Sequence, residues 1–368
     1  NEMSISRNVG ALARYLGEKR ASREYTRTRD SVQSVLEASG PLGRGLVDLG
    51  RNAKDSFKQM VIPGEMLFEK LGITCTAPIP GHDIAALKRA LRVCLKADGP
   101  TLLHVVTKKG KGYEPAEENP SKFHGIGPYD IATGEVKKGS SSAPKYTSVF
   151  SKAIVAEAER DHDIVAITAA MKDGTGLAAF SEKFPKRFID TGIAEEHAVA
   201  LASGLALGGK KPVVCIYSTF MQRAFDQLVI NNALANTNVV FCLDRAGLVG
   251  DDGPTHHGVF DIVYGRMVPG VRMMAPSDEA ELVHMLHTAL ALEGPVILRW
   301  PRGEARGVEL PAVPQVLEEG KSRTTREGSD VAILAFGRMV QEAEGAADIL
   351  AKEGVSVRVV DMRWIKPF

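Results

Sequence analysis

The sequence is short of cysteine, of long apolar runs and of any excess of one charge, and each shortage removes a class of function. Its four cysteines, Cys75, Cys94, Cys215 and Cys242, form no C-x-x-C pair, which sets aside zinc-ribbon and thioredoxin-like chemistry. Scattered thiols fit a reducing compartment, and a cytoplasmic setting is expected. Cys215 and Cys242 lie inside apolar, strand-like runs and are expected to be packed thiols. Lys and Arg number 46 and Asp and Glu 45, a formal net charge of +1, so no global field draws nucleic acid or anionic lipid. The basic run GEKRASREYTRTRD (17–30) reads as a solvated segment, not a nucleic-acid patch. No apolar run approaches the roughly 18 residues that a bilayer span needs, so no membrane partner is expected. The opening NEMSIS has neither signal-peptide nor transit-peptide character. It lacks an initiator methionine, and the chain is read as a piece of something longer.

What is present is an ordinary globular mixture, 44% hydrophobic and 25% charged. A length of 368 residues leaves room for two or three domains. Apolar, β-rich runs at 101–107, 163–168, 212–218, 238–243, 295–300, 331–336 and 355–362 read as buried strands. Helix-period stretches at 194–208, 221–236, 277–292 and 340–353 separate several of them. Apolar runs without alternation, divided by helices, indicate an α/β fold of parallel sheets covered by helices. Polar, Gly/Ser/Lys-rich and Pro-bearing breaks place domains at 1–130, 145–312 and 320–368, with a linker at 131–144. The last domain holds too few elements to bury a core of its own and is expected to be truncated.

Several stretches carry ionisable groups. In DTGIAEEHAVALASGLALGG (190–209), Glu195 and Glu196 open a small, apolar helix. As a pair they suit the helix macrodipole, but a helix apolar on nearly every side is buried or lies in an interface, so an acid at its head is not free in water. IYSTFMQRAFDQ (216–227) leaves a strand with Tyr217, then Phe220 and Arg223. DRAGLVGDDGPTHHG (244–258) follows a strand-like run and sets three acids, Arg245 and the adjacent His256 and His257 among four glycines. Arg299 and Arg302 flank a Trp-Pro pair. Each arginine alone suits a surface salt bridge; several just past strand ends suit a small anion. TKKGKGYEPAEENPSKFHG (107–125) lacks the G-x-x-x-x-G-K-[ST] spacing of a nucleotide-triphosphate loop, and His124 within it, taken alone, reads as a surface histidine.

Taken together, eleven strings in order resemble the 1-deoxy-D-xylulose-5-phosphate synthase family of the transketolase superfamily: NEMSISRNVGAL, PGHD, TKKGKGYEPAE, FHG, AMKDGTGL, GIAEEHAV, IYSTFMQRAFDQ, DRAGLVGDDGPTHHG, PSDE, PRG and DMRWIKPF. The resemblance implies thiamine-diphosphate-binding, transketolase-like domains: the C-terminal part of a diphosphate-binding domain, a pyrimidine-binding domain and the start of a C-terminal domain. It implies thiamine diphosphate and Mg2+ as cofactors, pyruvate and D-glyceraldehyde 3-phosphate as substrates, and a homodimer. Glu195 matches the acid that meets the aminopyrimidine ring, Phe220 an aromatic stacked on it, and Tyr113 another cofactor contact. Asn1 matches a side-chain Mg2+ ligand and Met3 a backbone-carbonyl ligand. Tyr217, Arg245 and Arg302 match the grip on the acceptor's phosphate. Arg223, Asp252, His256 and His124 match residues around the reacting centre, and His257 is not expected to take part directly. The family's GDG motif, which supplies a metal-binding aspartate, belongs upstream of Asn1. A different transketolase-type enzyme and a non-catalytic paralogue or inactive fragment stand as alternatives.

Overall fold

The computed structural model describes residue 68, residues 72–136 apart from 77 and 121, and residues 143–368. Contacts divide these into two compact units, one within 68–136 and one comprising 143–368.

In the first unit β1 (Thr74–Cys75) pairs in parallel with β3 (Thr101–Leu102), and β2 (Ile79–Pro80) with β4 (Val105–Val106). The single buried strand expected over 101–107 is therefore two short ones. The break falls where the His104 N–H leaves the ladder and donates to Thr76 Oγ1 at 3.0 Å. Val105 and Val106 are exposed here, against the buried strand expected. The helix Ile84–Cys94 starts at Asp83, whose carboxylate accepts the Ala86 N–H at 2.9 Å, the usual N-cap device.

The second unit is built on a seven-stranded sheet in the order β14-β9-β10-β8-β7-β5-β6. Its members are β5 (Ile164–Thr168), β6 (Phe188–Asp190), β7 (Lys211–Tyr217), β8 (Val240–Asp244), β9 (Arg272–Met274), β10 (Val296–Arg299) and β14 (Trp364–Lys366). All pairings are parallel except β14 on β9. Every residue of β5 and β8 is buried, as unbroken apolar runs require when helices cover both faces. Alternate strand residues feed two cores. Ala166, Cys215, Cys242 and Leu298 meet the helices Tyr146–Arg160 and Glu279–Ala291. Ile167, Val214, Phe241 and Ile297 meet the helix Glu195–Leu207 and the segment after β7. Cys215 and Cys242 are opposite each other in register, buried and free.

The helix expected over 221–236 is broken into short turns ending in a π-helical stretch, Leu228–Ala233. Buried Asn232 gives a reason: its amide donates to the Gln227 carbonyl at 3.0 Å, and its oxygen accepts from Thr237 Oγ1 at 3.0 Å. A side chain bonding local backbone competes with the α-helical ladder. Beyond 320, β11 (Arg323–Arg326), β13 (Val357–Asp361) and β12 (Val331–Ala335) form a small sheet in that order, with β11 antiparallel and β12 parallel to β13. The helix Met339–Ala351 covers it and, against the expectation that so few elements bury no core, Val340, Ala343 and Ala347 close a small one with Ala335, Val357 and Val359. The chain then returns, and β14 becomes the edge of the large sheet, burying Trp364 and Ile365.

Candidate active site

Loops leave the carboxyl ends of β5, β6, β7, β8 and β10 at one end of the large sheet, the end at which open α/β sheets bind ligands. The loops after β6, β7, β8 and β10 each bring one or more of the residues singled out above, and the loop after β5 carries the AMKDGTGL string. The β6 loop passes through Gly192, at φ +72°, and the helix Glu195–Leu207 begins at once. Glu195 is its first residue and is only 3% exposed. Its Oε1 accepts from Arg223 Nη1 at 2.7 Å, while Arg223 itself is half exposed. The helix buries one side through Ala198, Val199 and Ala202 and leaves Leu207 open at the other. Among the described residues of this unit it is thus not enclosed.

Tyr217 ends β7 and is buried. Its ring is stacked near-parallel to Phe220, with centroids 5.7 Å apart and 12° between planes. Arg245 lies over the Tyr217 ring at 4.3 Å, and His256 meets Phe220 edge-on at 5.3 Å. Arg223 covers the Phe220 ring at 5.2 Å. Burial pushes the Tyr217 phenol up to about 12, opposed by Arg245 and assisted by Asp244 and Asp252. The phenol is therefore a proton donor throughout the physiological range.

Arg245 follows β8 at φ +61°, an unusual conformation for a residue with a side chain. Its Nη1 donates to the Gly174 carbonyl at 2.7 Å and lies 3.1 Å from Asp244 Oδ2. Its Nε is buried without a hydrogen bond, 3.8 Å from Asp252 Oδ2. Arg302, on the loop after β10, brings its Nε to 3.3 Å from the same Asp252 oxygen and donates from Nη1 to the Val249 carbonyl at 3.1 Å. Asp252 Oδ2 accepts no hydrogen bond, so two cations converge on one carboxylate oxygen that neither grips well. The arrangement suits an anion with more oxygens to offer.

The neighbouring groups divide into those facing this point and those with structural partners. His256 Nδ1 is 2.9 Å from Thr255 Oγ1. The His257 Nδ1 instead accepts the Val249 N–H at 3.2 Å, a bond that shapes the loop. Arg299 is committed to buried Asp261, Nε to Oδ2 at 2.7 Å. It belongs to the framework and not to an anion site.

In the first unit Tyr113 donates to the Ile131 carbonyl at 2.8 Å and packs edge-on against Phe123, which meets Tyr129 in the same way. His124 is exposed. Asn1 and Met3 lie outside the described residues. Among the described residues no three His, Cys, Asp or Glu side chains group as a metal site.

Sequence reasoning overlooks the supports of this site. Asp244 is fully buried, and its Oδ2 accepts from Thr147 Oγ1 at 2.7 Å. Gly174 leaves no space for a side chain, since a Cβ there would stand 2.2 Å from the Tyr217 hydroxyl. The signal for Gly174 is present in the glycine-rich MKDGTGL; nothing in the sequence links Thr147 to a carboxylate 97 positions away.

Three family models match the chain. Residues 1–107 match 1-deoxy-D-xylulose-5-phosphate synthase, residues 142–308 the pyrimidine-binding domain of transketolase, and residues 320–368 the transketolase C-terminal domain. Curated relatives named 1-deoxy-D-xylulose-5-phosphate synthase include one from Syntrophomonas wolfei, 50% identical over 368 residues, of which the chain covers 57%. Another, from Magnetococcus marinus, is 53% identical over 367 residues, and 58% of it is covered. The chain thus spans a little over half the length of the curated relatives it matches. Among solved structures, a split-gene transketolase described as an inactive β4 tetramer is 30% identical, with a TM-score of 0.55 over 60% of this chain and 72% of its own. Campylobacter jejuni transketolase, 18% identical with a TM-score of 0.55, covers 82% of this chain and is itself covered over 58%, and shares the fold.

Proposed function

This chain belongs to the 1-deoxy-D-xylulose-5-phosphate synthase family of the transketolase superfamily, and from that premise we propose that it carries the acceptor-binding half of an enzyme joining pyruvate to D-glyceraldehyde 3-phosphate. The products are 1-deoxy-D-xylulose 5-phosphate and CO2, which places the enzyme among transferases of aldehyde and ketone residues. The observation that carries this reading is the convergence of Arg245 and Arg302 on a single point beside Tyr217. Two guanidinium groups and a phenol that stays protonated suit a phosphate monoester, whose oxygens accept charge-assisted hydrogen bonds.

The residues around Glu195 suit thiamine diphosphate. A buried carboxylate at a helix start lies beside an aromatic plate, Phe220, and Arg223 bridges the two. When bound, that cofactor supplies the electron sink for decarboxylation and carbon–carbon bond formation. Glu195 would hold a proton between its carboxyl and the aminopyrimidine ring, general acid–base work that a site shut off from water favours. Phe220 would fix the ring plane, and Arg223, Asp252 and His256 would line the space in which pyruvate meets the acceptor. Tyr113 and His124 belong to the same reading as cofactor and reaction-centre contacts. So does Mg2+ held through Asn1 and the Met3 carbonyl, oxygen ligands suited to a hard cation.

The assembly we propose is a homodimer. Leu207, Ile230 and Leu234 are exposed on and beside the helix headed by Glu195, an apolar surface that a second subunit would cover. Sedimentation at micromolar concentration reads this, and a stable, active monomer would remove it. The catalytic reading is tested by incubating the intact enzyme with pyruvate and D-glyceraldehyde 3-phosphate, against ketose donors. Formation of the deoxyketose phosphate with stoichiometric CO2 is expected; turnover with ketose donors alone would assign the chain to transketolase chemistry instead.

A further inference from the structure

The MKDGTGL loop, the end of β8 and the start of the helix Tyr146–Arg160 meet at one side chain, and the reading above leaves their meeting unexplained. Arg245 has two edges to its guanidinium. The Nη1 corner is fully engaged: the Gly174 carbonyl takes one bond at 2.7 Å, and Asp244 Oδ2 stands at 3.1 Å. The Nε corner is buried and unbonded. The backbone beneath is equally fixed. At φ +61° Arg245 occupies a conformation that residues with a Cβ seldom adopt, and Asp244 Oδ1 accepts the Arg245 N–H at 2.7 Å. Asp244 is itself held, through the Thr147 hydroxyl at 2.7 Å. Gly176, at φ +79°, lets the loop press on Thr147, since a Cβ there would come within 2.7 Å of the Thr147 carbonyl oxygen.

We infer that Asp244, Thr147 and the Gly174 carbonyl form a clamp that positions Arg245, holding it over the Tyr217 ring with its Nε edge, 3.8 Å from Asp252 Oδ2, turned toward the place of the acceptor's anionic group. The inference rests on the reading that Arg245 binds that group. Asp244 and Thr147 are positioning residues: they act through Arg245 and touch no substrate. Buried charge explains why the clamp has this form. A fully buried carboxylate persists only with a cation and donors around it. Each of the three parts therefore restricts the others, and a mobile arginine becomes a pre-organised one. Burial raises the Asp244 carboxyl, and Arg245 and Thr147 oppose the rise.

The test is made in the intact enzyme with Thr147→Val, which removes the hydroxyl at nearly constant volume, Thr147→Ser, which restores it, and Asp244→Asn. The readouts are kcat/KM for D-glyceraldehyde 3-phosphate and for unphosphorylated glyceraldehyde, KM for pyruvate, and competitive inhibition by inorganic phosphate. Thr147→Val is expected to lower kcat/KM for the phosphorylated acceptor about three- to tenfold, the loss of one hydrogen bond. It should weaken phosphate inhibition in parallel and leave the unphosphorylated acceptor and pyruvate unchanged. Thr147→Ser should recover most of the loss. In an Arg245→Ala background Thr147→Val should add nothing, because residues acting through one group are not additive. Equal losses for both acceptors, or a full additional loss in the Arg245→Ala background, would make Thr147 merely structural and overturn the clamp; so would no effect at all. If Arg245→Ala itself fails to distinguish the two acceptors, the phosphate reading of Arg245 falls first, a separate result. Should Asp244→Asn not fold, the threonine variants decide the matter.

Discussion

At the scale of single residues the site joins groups whose environments are opposed. Tyr217 is kept neutral by burial, with its phenol pushed up to about 12. Tyr146 and Tyr264 are likewise raised by burial. In each case the folded pKa lies above the unfolded one, so the folded state holds more protons above pH 10. Stability is then fully present below about pH 10 and is lost as pH rises through the folded values. Ultraviolet titration should show these three tyrosines ionising only as the protein unfolds; early titration of Tyr217 would mean its ring is not packed under Arg245. Glu195 gives a second expectation. Glu195→Gln keeps size and the bond from Arg223 but cannot exchange a proton as an acid does, so turnover should fall by at least 100-fold, the low end of general acid–base contributions of about 10²–10⁴, with Tm nearly unchanged. Retained turnover would reduce Glu195 to a helix-end acid. Glu195, Tyr217 and Arg245 are legible in the sequence because polar groups stand out against the apolar runs beside them. Asp244 and Thr147 are not, because a hydrogen bond between distant segments leaves no local pattern.

At the scale of elements, close approach decides what the loops tolerate. Gly174 and Gly258 have other groups where a side chain would stand: the Tyr217 hydroxyl at 2.2 Å in one case, and Ser218 Oγ at 2.4 Å with the Arg245 carbonyl oxygen at 2.6 Å in the other. Gly174→Ala should displace Tyr217 or the loop that bonds Arg245, costing about 1–3 kcal/mol of stability by overpacking and weakening use of the phosphorylated acceptor. Chemical denaturation together with acceptor kinetics checks both; a variant unchanged in both would show that the loop is free to move. The long apolar strands β5, β7, β8 and β10 are readable from sequence because burial on both faces demands unbroken hydrophobic runs. The shorter β6, β9 and β14 are not, since three residues carry no periodicity. The helix Tyr146–Arg160 escapes notice beside the polar segment before it, and the π-helical stretch depends on where Asn232 finds partners, which composition does not reveal.

At the scale of the whole molecule, the segment after residue 320 is tied to the large sheet by more than β14. Arg363 donates from Nε and Nη2 to the two oxygens of buried Glu281, each at 2.8 Å, and Arg323 approaches Glu281 at 3.3 Å. Ser277 donates to buried Asp361 at 2.6 Å in the same network. Glu281→Ala should cost about 3–5 kcal/mol, because it strands the buried end of Arg363; a loss below 1 kcal/mol in urea denaturation would show that the arginines find water instead. The α/β class is evident from the order of runs, whereas the return of the last strand to the first sheet is not, since antiparallel addition at an edge is set by tertiary packing. The central claim, that the converging arginines accept a phosphorylated aldehyde, is tested most directly by acceptor preference. With pyruvate as donor, kcat/KM is measured for D-glyceraldehyde 3-phosphate and for unphosphorylated glyceraldehyde in the intact wild type, Arg245→Ala and Arg302→Ala. The account predicts a loss of about tenfold or more for the phosphorylated acceptor, from about 1.5–3 kcal/mol per charged hydrogen bond, and almost none for the other. Equal losses for both acceptors would contradict it.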